Sequence, residues 1–252
     1  MKITRAVVPS LFTVLNIFCG FMSLIASTGS DFTMAAWLII LGAIFDSFDG
    51  IMARITKSSS AFGVEFDSLS DVVTFGAAPS FLIYQVHLHT LGGIGVLVSS
   101  MPMMFGGIRL ARFNVQLVGF DKEFFRGLPI TAQAVTLCSY VLLYINGTSS
   151  ITGWQADILA PMVVVLSLLM VSSFKYDTLP KLSKRSVKEH PVRFSLFLVA
   201  GVMIAATRGQ ALFLVLVFFI ATGLIRWVVN AVQTITRHTT PEEEEEVSSL
   251  DI

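Results

Sequence analysis

Residues 33–53 read TMAAWLIILGAIFDSFDGIMA, an apolar run long enough to cross a bilayer that nevertheless carries Asp46 and Asp49 near its end. Residues 63–71 follow as GVEFDSLSD, with Asp67 and Asp71. A hydrocarbon core of about 30 Å takes about 20 helical residues rising 1.5 Å each. An acid at mid-span opposes insertion by roughly 2.5 to 3.5 kcal/mol, so four unpaired aspartates would oppose it by about 10 kcal/mol or more. A place near the helix end lowers that cost without removing it, so a cationic partner is expected.

Spacing says how the four acids share a site. At about 100° per residue, Asp46, Asp49, Gly50 and Ala53 fall on one helical face with Arg54 at its edge. Gly63, Asp67 and Asp71 recur every four residues and form one stripe of the following helix. Residues 55–63 suffice for a turn between antiparallel neighbours, which would gather four carboxylates in one pocket. Hard oxygen ligands without His or Cys suit Mg²⁺ or Mn²⁺, and such a cluster is the usual cradle for two ions acting on phosphate. Gly50, Ala53 and Gly63 add no bulk on the same faces and leave room for a ligand. The competing reading pairs the aspartates with Arg54, Lys57, Arg109 and Arg112, or leaves them on a solvated helix end. It accounts for neither the four-residue spacing nor the small residues. Glu65 lies off both stripes, where solvent or a lysine would satisfy it.

The rest of the chain agrees with a membrane setting. Of 252 residues 54% are hydrophobic and 13% charged, about half the charged share usual in soluble domains. The 17 basic and 17 acidic side chains cancel formally, but six acids lie in the last eleven residues, so residues 1–241 are basic. This composition excludes a nucleic-acid-binding domain, which needs a dense basic surface. Cys19 and Cys138 sit apart in apolar runs and read as packing residues, which excludes a disulfide scaffold. His87, His89, His190 and His238 do not cluster at ligand spacing, and the glycines at 92, 93 and 95 do not follow a strand as a dinucleotide site requires.

Eight apolar runs are candidate spans, near residues 7–27, 33–53, 68–88, 92–112, 129–146, 157–174, 192–207 and 210–230. Arg208-Gly209 is either a tight turn or an interruption in one long segment, which would make seven. With eight spans and both termini inside, sixteen of the seventeen Lys and Arg fall on the cytoplasmic side and only Arg208 outside. The expected fold is an all-α integral membrane protein: a polytopic catalytic domain over residues 1–235 and an acidic, solvated, disordered cytoplasmic tail over 236–252. The longer polar inner loops place the active site at the cytoplasmic face of the cell membrane.

The pattern D-x2-D-G-x2-A-R-x8-G-x3-D-x3-D, here Asp46 to Asp71 without a departure, resembles the CDP-alcohol phosphotransferase signature. Within that family the chain is similar to the membrane-embedded bacterial and archaeal branch that takes serine as acceptor. The likeness runs through Phe66-Asp67-Ser68-Leu69-Ser70-Asp71, Phe75-Gly76-Ala77-Ala78-Pro79, Arg109-Leu110-Ala111-Arg112-Phe113-Asn114 and Phe125-Arg126-Gly127-Leu128-Pro129. It departs at Thr131, where a second proline is usual.

The resemblance implies a helical bundle that transfers the phosphatidyl group of CDP-diacylglycerol to L-serine and releases CMP, working as a homodimer. It implies that Asp46, Asp49, Asp67 and Asp71 hold two divalent cations and that Asp49, Gly50, Ala53, Arg54 and Gly63 line the CDP pocket. Asp71 would double as general base. Asn16, which follows Pro9 and Thr13 on the first helix, either faces the nucleotide or bonds across helices. The serine carboxylate needs a cation, for which Arg109, Arg112, Lys122 and Arg126 are the candidates. Rival readings are a sister enzyme with another alcohol or an archaeal ether-lipid donor, and a cation-coupled transporter.

Overall fold

The computed structural model describes residues 7–56, 61–118, 127–145, 151–172, 211–223 and 225, and among these every regular element is helical. Helix α1 (Val7–Thr28) runs antiparallel into α2 (Phe32–Thr56), and the two share the most extensive helix pairing among the described residues. Their turn is set by Ser30, at φ 61°, and by Asp31, whose Oδ1 accepts the Met34 amide at 3.0 Å and so caps the start of α2. Helix α3 (Ala61–Asp71), a π-helical turn (Val72–Ala77) and α4 (Ala78–Val86) follow as one helical path. A 3₁₀ turn (Leu88–Leu91) leads to α5 (Gly92–Val118), then come α6 (Ile130–Tyr144), α7 (Trp154–Val171) and an apolar helix Ala211–Gly223, α8.

Among the described residues four helical stretches are long and apolar enough to cross a membrane, Leu11–Thr28, Phe32–Met52, Leu88–Val115 and Trp154–Val171, and Ile130–Tyr144 and Ala211–Gly223 are shorter apolar helices. The candidate span at 192–207, the tail from 236, and Lys122 and Arg126 lie outside the described residues. Two boundaries differ from the sequence expectation. The third helical path starts at Ala61 rather than near residue 68, and α2 continues to Thr56, so four residues rather than nine separate the two helices. Acidic residues lower the hydropathy of α3 without impairing its helix formation, so a search for apolar runs starts too late.

Helix α1 is turned inside out by the standards of a soluble protein. Leu11, Val14, Phe18, Phe21 and Ile25 are exposed, while Thr13, Asn16, Gly20, Ser23 and Ser27 are buried. Small and polar residues face the neighbouring helices and large apolar ones face outward, the arrangement lipid favours because it solvates the outer stripe. Ser23 Oγ donates to the Ala35 carbonyl of α2 at 2.9 Å.

Behind these helices lies a conventional apolar core. Ala35, Ala36 and Ile39 of α2, Phe75, Ala78 and Leu82 of the third path, and Ala134, Leu137 and Val141 of α6 are fully buried in it. Two close approaches anchor the π-helical turn. A Cβ on Gly76 would stand 3.2 Å from Met103 Cα of α5. The Met103 amide, next to the intrahelical Pro102, donates to Ser80 Oγ at 3.2 Å. Proline interrupts the ladder of α5, and a side chain of α4 satisfies a neighbouring donor.

Candidate active site

The end of α2 and the start of the third path meet as the spacing requires. Carboxylate oxygens of Asp46, Asp67 and Asp71 all lie within 4.8 Å of one another; Asp71 is buried at 8% exposure and the other two are half-buried. Asp49, also buried, stands close enough to Asp46 and Asp67 to repel both, but outside that triad, and its Oδ2 accepts the hydroxyl of Thr13. Gly50 faces open space, with nothing within 4 Å of where a Cβ would stand. Gly63 lies one turn before Asp67 on α3. The backbones of Ala53 and Arg54 complete the last turns of α2, and their side chains lie outside the described set.

Helix α1 forms the back wall. Ser70 Oγ donates to the Thr13 carbonyl at 3.2 Å and Thr74 Oγ1 to the Asn16 carbonyl at 2.9 Å, so two hydroxyls on either side of Asp71 clip its helix to α1. Asn16 is fully buried beside Asp71. Phe12 stacks on Phe48 at a centroid distance of 5.9 Å and tilts against Phe45 at 6.5 Å, packing the seam between α1 and α2 around the acids.

The arginines of α5 part company. Arg109 lies within electrostatic reach of Asp71, and its Nε is buried with no hydrogen-bond partner among the described residues. Arg112 is exposed and its Nη1 donates to the Val171 carbonyl at 3.2 Å, closing the end of α7. Glu65 is exposed to solvent off both stripes, and Asn114 Nδ2 of α5 donates to its Oε2 at 3.3 Å and to Ser68 Oγ at 3.0 Å. The sequence pattern does not single out Thr13, Ser70 and Thr74 as functional. Their only signal is three- or four-residue spacing on one face of an apolar helix, in step with Asn16 and the acids.

The donor set fits a hard divalent cation. Opposite oxygens around an octahedral Mg²⁺ stand about 4.2 Å apart, close to the spread found here, and every donor is a carboxylate oxygen. Two like charges about 5 Å apart repel by roughly 3 kcal/mol at an effective dielectric of 20, and Arg109 supplies one positive charge against several negative ones. A site of this composition is built to be completed by cations.

A membrane-type helical bundle with an oxygen-only acid cluster between two of its helices is an arrangement that could hold a divalent cation. The sequence profile of the CDP-alcohol phosphatidyltransferase family matches residues 6–171, and the chain belongs to that family. It is 38% identical over 227 residues to the CDP-diacylglycerol–serine O-phosphatidyltransferase of Helicobacter pylori strain J99, covering 90% of this chain and 93% of that one. It is 38% identical over 179 residues to the archaetidylserine synthase of Methanothermobacter thermautotrophicus, covering 69% and 72%. With the Bacillus subtilis CDP-diacylglycerol–serine O-phosphatidyltransferase it shares 33% identity over 174 residues, covering 69% and 92%.

Proposed function

We propose that this chain is a CDP-diacylglycerol–serine O-phosphatidyltransferase. The likeness to a relative of that name, along nine-tenths of both chains, carries the reading. Asp46, Asp49, Asp67 and Asp71 hold Mg²⁺ or Mn²⁺, two ions by the family pattern. Bound there, the cations would neutralise the pyrophosphate and favour departure of CMP.

The residues of the chain do the rest. Asp71, with Arg109 nearby, takes the proton of the serine hydroxyl as the serine oxygen bonds to the phosphorus next to diacylglycerol. The bond from that phosphorus to the CMP oxygen breaks, and CMP leaves with the electron pair. Open space at Gly50 admits the nucleotide, with Ala53, Arg54 and Gly63 as its further lining. The unpartnered Nε of Arg109 offers the serine carboxylate a charge-assisted hydrogen bond. The distribution of Lys and Arg supports a multi-pass protein of the cell membrane with its site on the cytoplasmic face, and the family resemblance supports a homodimer.

The test is CMP release by purified protein in detergent, given CDP-diacylglycerol, Mg²⁺ or Mn²⁺, and serine, glycerol 3-phosphate or inositol phosphate in turn. Release is expected with serine alone, silenced by EDTA and restored by the metal. Arg109→Ala is expected to raise the KM for serine about tenfold or more while sparing that for the lipid. Release with another alcohol and none with serine would reject the acceptor. Ion flux in liposomes lacking nucleotide lipid, with no CMP released, would reassign the chain to transport. The archaeal relative favours also running an ether-lipid donor beside the diacyl one.

A further inference from the structure

The hydrogen-bond pattern around Asp71 leaves complementary groups unfilled. Asn16 is 0% exposed, and neither Nδ2 nor Oδ1 of its carboxamide has a partner among the described residues. Asp71 Oδ1 is likewise buried, and the Asn16 carboxamide stands within hydrogen-bonding reach of the Asp71 side chain without an aligned bond between them. A buried donor or acceptor left unsatisfied costs about 1 to 3 kcal/mol, so a carboxamide kept here against a carboxylate needs a reason.

The surroundings of Asn16 show how it is held. Thr74 is fully buried and donates to the Asn16 carbonyl at 2.9 Å from the π-helical turn that begins one residue after Asp71. Thr74 sits in a hollow that glycine alone leaves open. A Cβ on Gly20 would meet Thr74 Oγ1 at 2.6 Å, and one on Gly42 would meet Thr74 Cγ2 at 2.6 Å and Asn16 Oδ1 at 3.0 Å. The clips from Ser70 and Thr74 fix both the height and the rotation of Asp71 against α1. Gly50, where the nucleotide has room, lies on α2 in open space, whereas Asn16 has no exposed surface to offer it.

We infer that Asn16, locked by Thr74 in the Gly20–Gly42 hollow, is a positioning residue for Asp71 rather than a contact of the nucleotide. Its Nδ2 engages Asp71 Oδ1 and fixes the carboxylate plane, so that a lone pair faces the hydroxyl of the acceptor. The inference rests on the reading of Asp71 as general base and adds what aims it.

The experiment uses the full chain in detergent. Asn16→Leu keeps the shape and removes the donor, Asn16→Ser returns a shorter donor, and Thr74→Val removes the hydroxyl that holds the carbonyl. For each, kcat, the KM for CDP-diacylglycerol and the thermal shift that this lipid induces are measured, with Asp71→Asn in parallel. Loss of an orienting partner of this kind typically costs 10- to 100-fold. Asn16→Leu is therefore expected to lower kcat by that factor while KM and thermal shift stay within about twofold. Asn16→Ser should recover part of the loss, Thr74→Val should show a smaller fall of the same kind, and Asn16→Leu should cost little more in the Asp71→Asn background. A raised KM with kcat intact would make Asn16 a nucleotide contact and overturn the inference, as would an unchanged kcat. If Asn16→Leu does not fold, Asn16→Ser and Thr74→Val decide by the same criteria. Full turnover by Asp71→Asn would instead fell the assignment of the base, a result distinct from an inactive Asp71→Asn beside an unaffected Asn16→Leu.

Discussion

Asp71 differs from its companions in what confines it. It is buried between two hydroxyl clips, with a carboxamide and a guanidinium at hand, whereas Asp46 and Asp67 are half-exposed at the mouth of the cluster. Asp71→Asn is expected to cut turnover by roughly 10²- to 10⁴-fold, the usual worth of a positioned base, while largely sparing CDP-lipid binding. Asp46→Asn or Asp67→Asn should weaken binding as well, seen as a smaller lipid-induced thermal shift that excess metal partly restores. Equal residual activity and equal binding in all three would contradict this division of labour. The four acids were legible in the sequence because charge inside an apolar run is costly and their spacing matches helical geometry. Thr13, Ser70 and Thr74 were not, because a hydroxyl in a helix ordinarily bonds back to its own backbone, as Ser47 does to Ala43 and Thr136 to Ala132. Only the packed helices show which hydroxyls cross over.

Among the elements, the junction before α6 has little freedom. Gly127 has φ +87°, and a Cβ there would stand 2.1 Å from the Met170 carbonyl oxygen. The next amide, of Leu128, donates to the Leu169 carbonyl at 3.0 Å, and Arg112 takes the Val171 carbonyl. The end of α7 is thus capped by the backbone of one element and a side chain of another, which fills acceptors a helix end leaves open. Gly127→Ala combines a left-handed backbone, at roughly 1 to 2 kcal/mol, with a backbone clash. It should lower the thermal midpoint in detergent by several degrees, whereas Gly107→Ala, with nothing within 4 Å, should not. A matched pair of midpoints would show that the junction yields. Apolar periodicity located the helices of this region, but the π-helical turn was hidden, since its sequence VVTFGA reads as uninterrupted helix. What shapes it is packing against Gly20, Gly42 and Met103, far away in sequence.

Over the whole molecule, orientation can be measured because the native thiols do not interfere. Cys19 and Cys138 are both buried, so an introduced cysteine should dominate labelling. Thr90, in the turn before α5, and Val115, near its other end, are both exposed. A membrane-impermeant maleimide is expected to label Thr90→Cys in intact cells and Val115→Cys only after permeabilisation, and the reverse order would invert the topology. The bundle and the grouping of its acids could be read from hydrophobic runs and charge because the bilayer imposes both. The cross-helix contacts that rank the acids could not, since they depend on which small residues allow close approach.

The outward stripe of Leu11, Phe18, Phe21 and Ile25 also bears on how the protein is made. No water-soluble folded form can wait for the bilayer, so delivery has to begin while the ribosome is still translating. The main-chain carbonyls of Thr13 and Asn16 then enter lipid before their cross-helix donors exist, because Ser70 and Thr74 lie 57 and 58 residues later in the chain. At roughly 5 to 20 residues per second, that delay is of order 3 to 12 s. The insertion machinery has to shelter the polar side of a lone first helix until the third arrives to claim it.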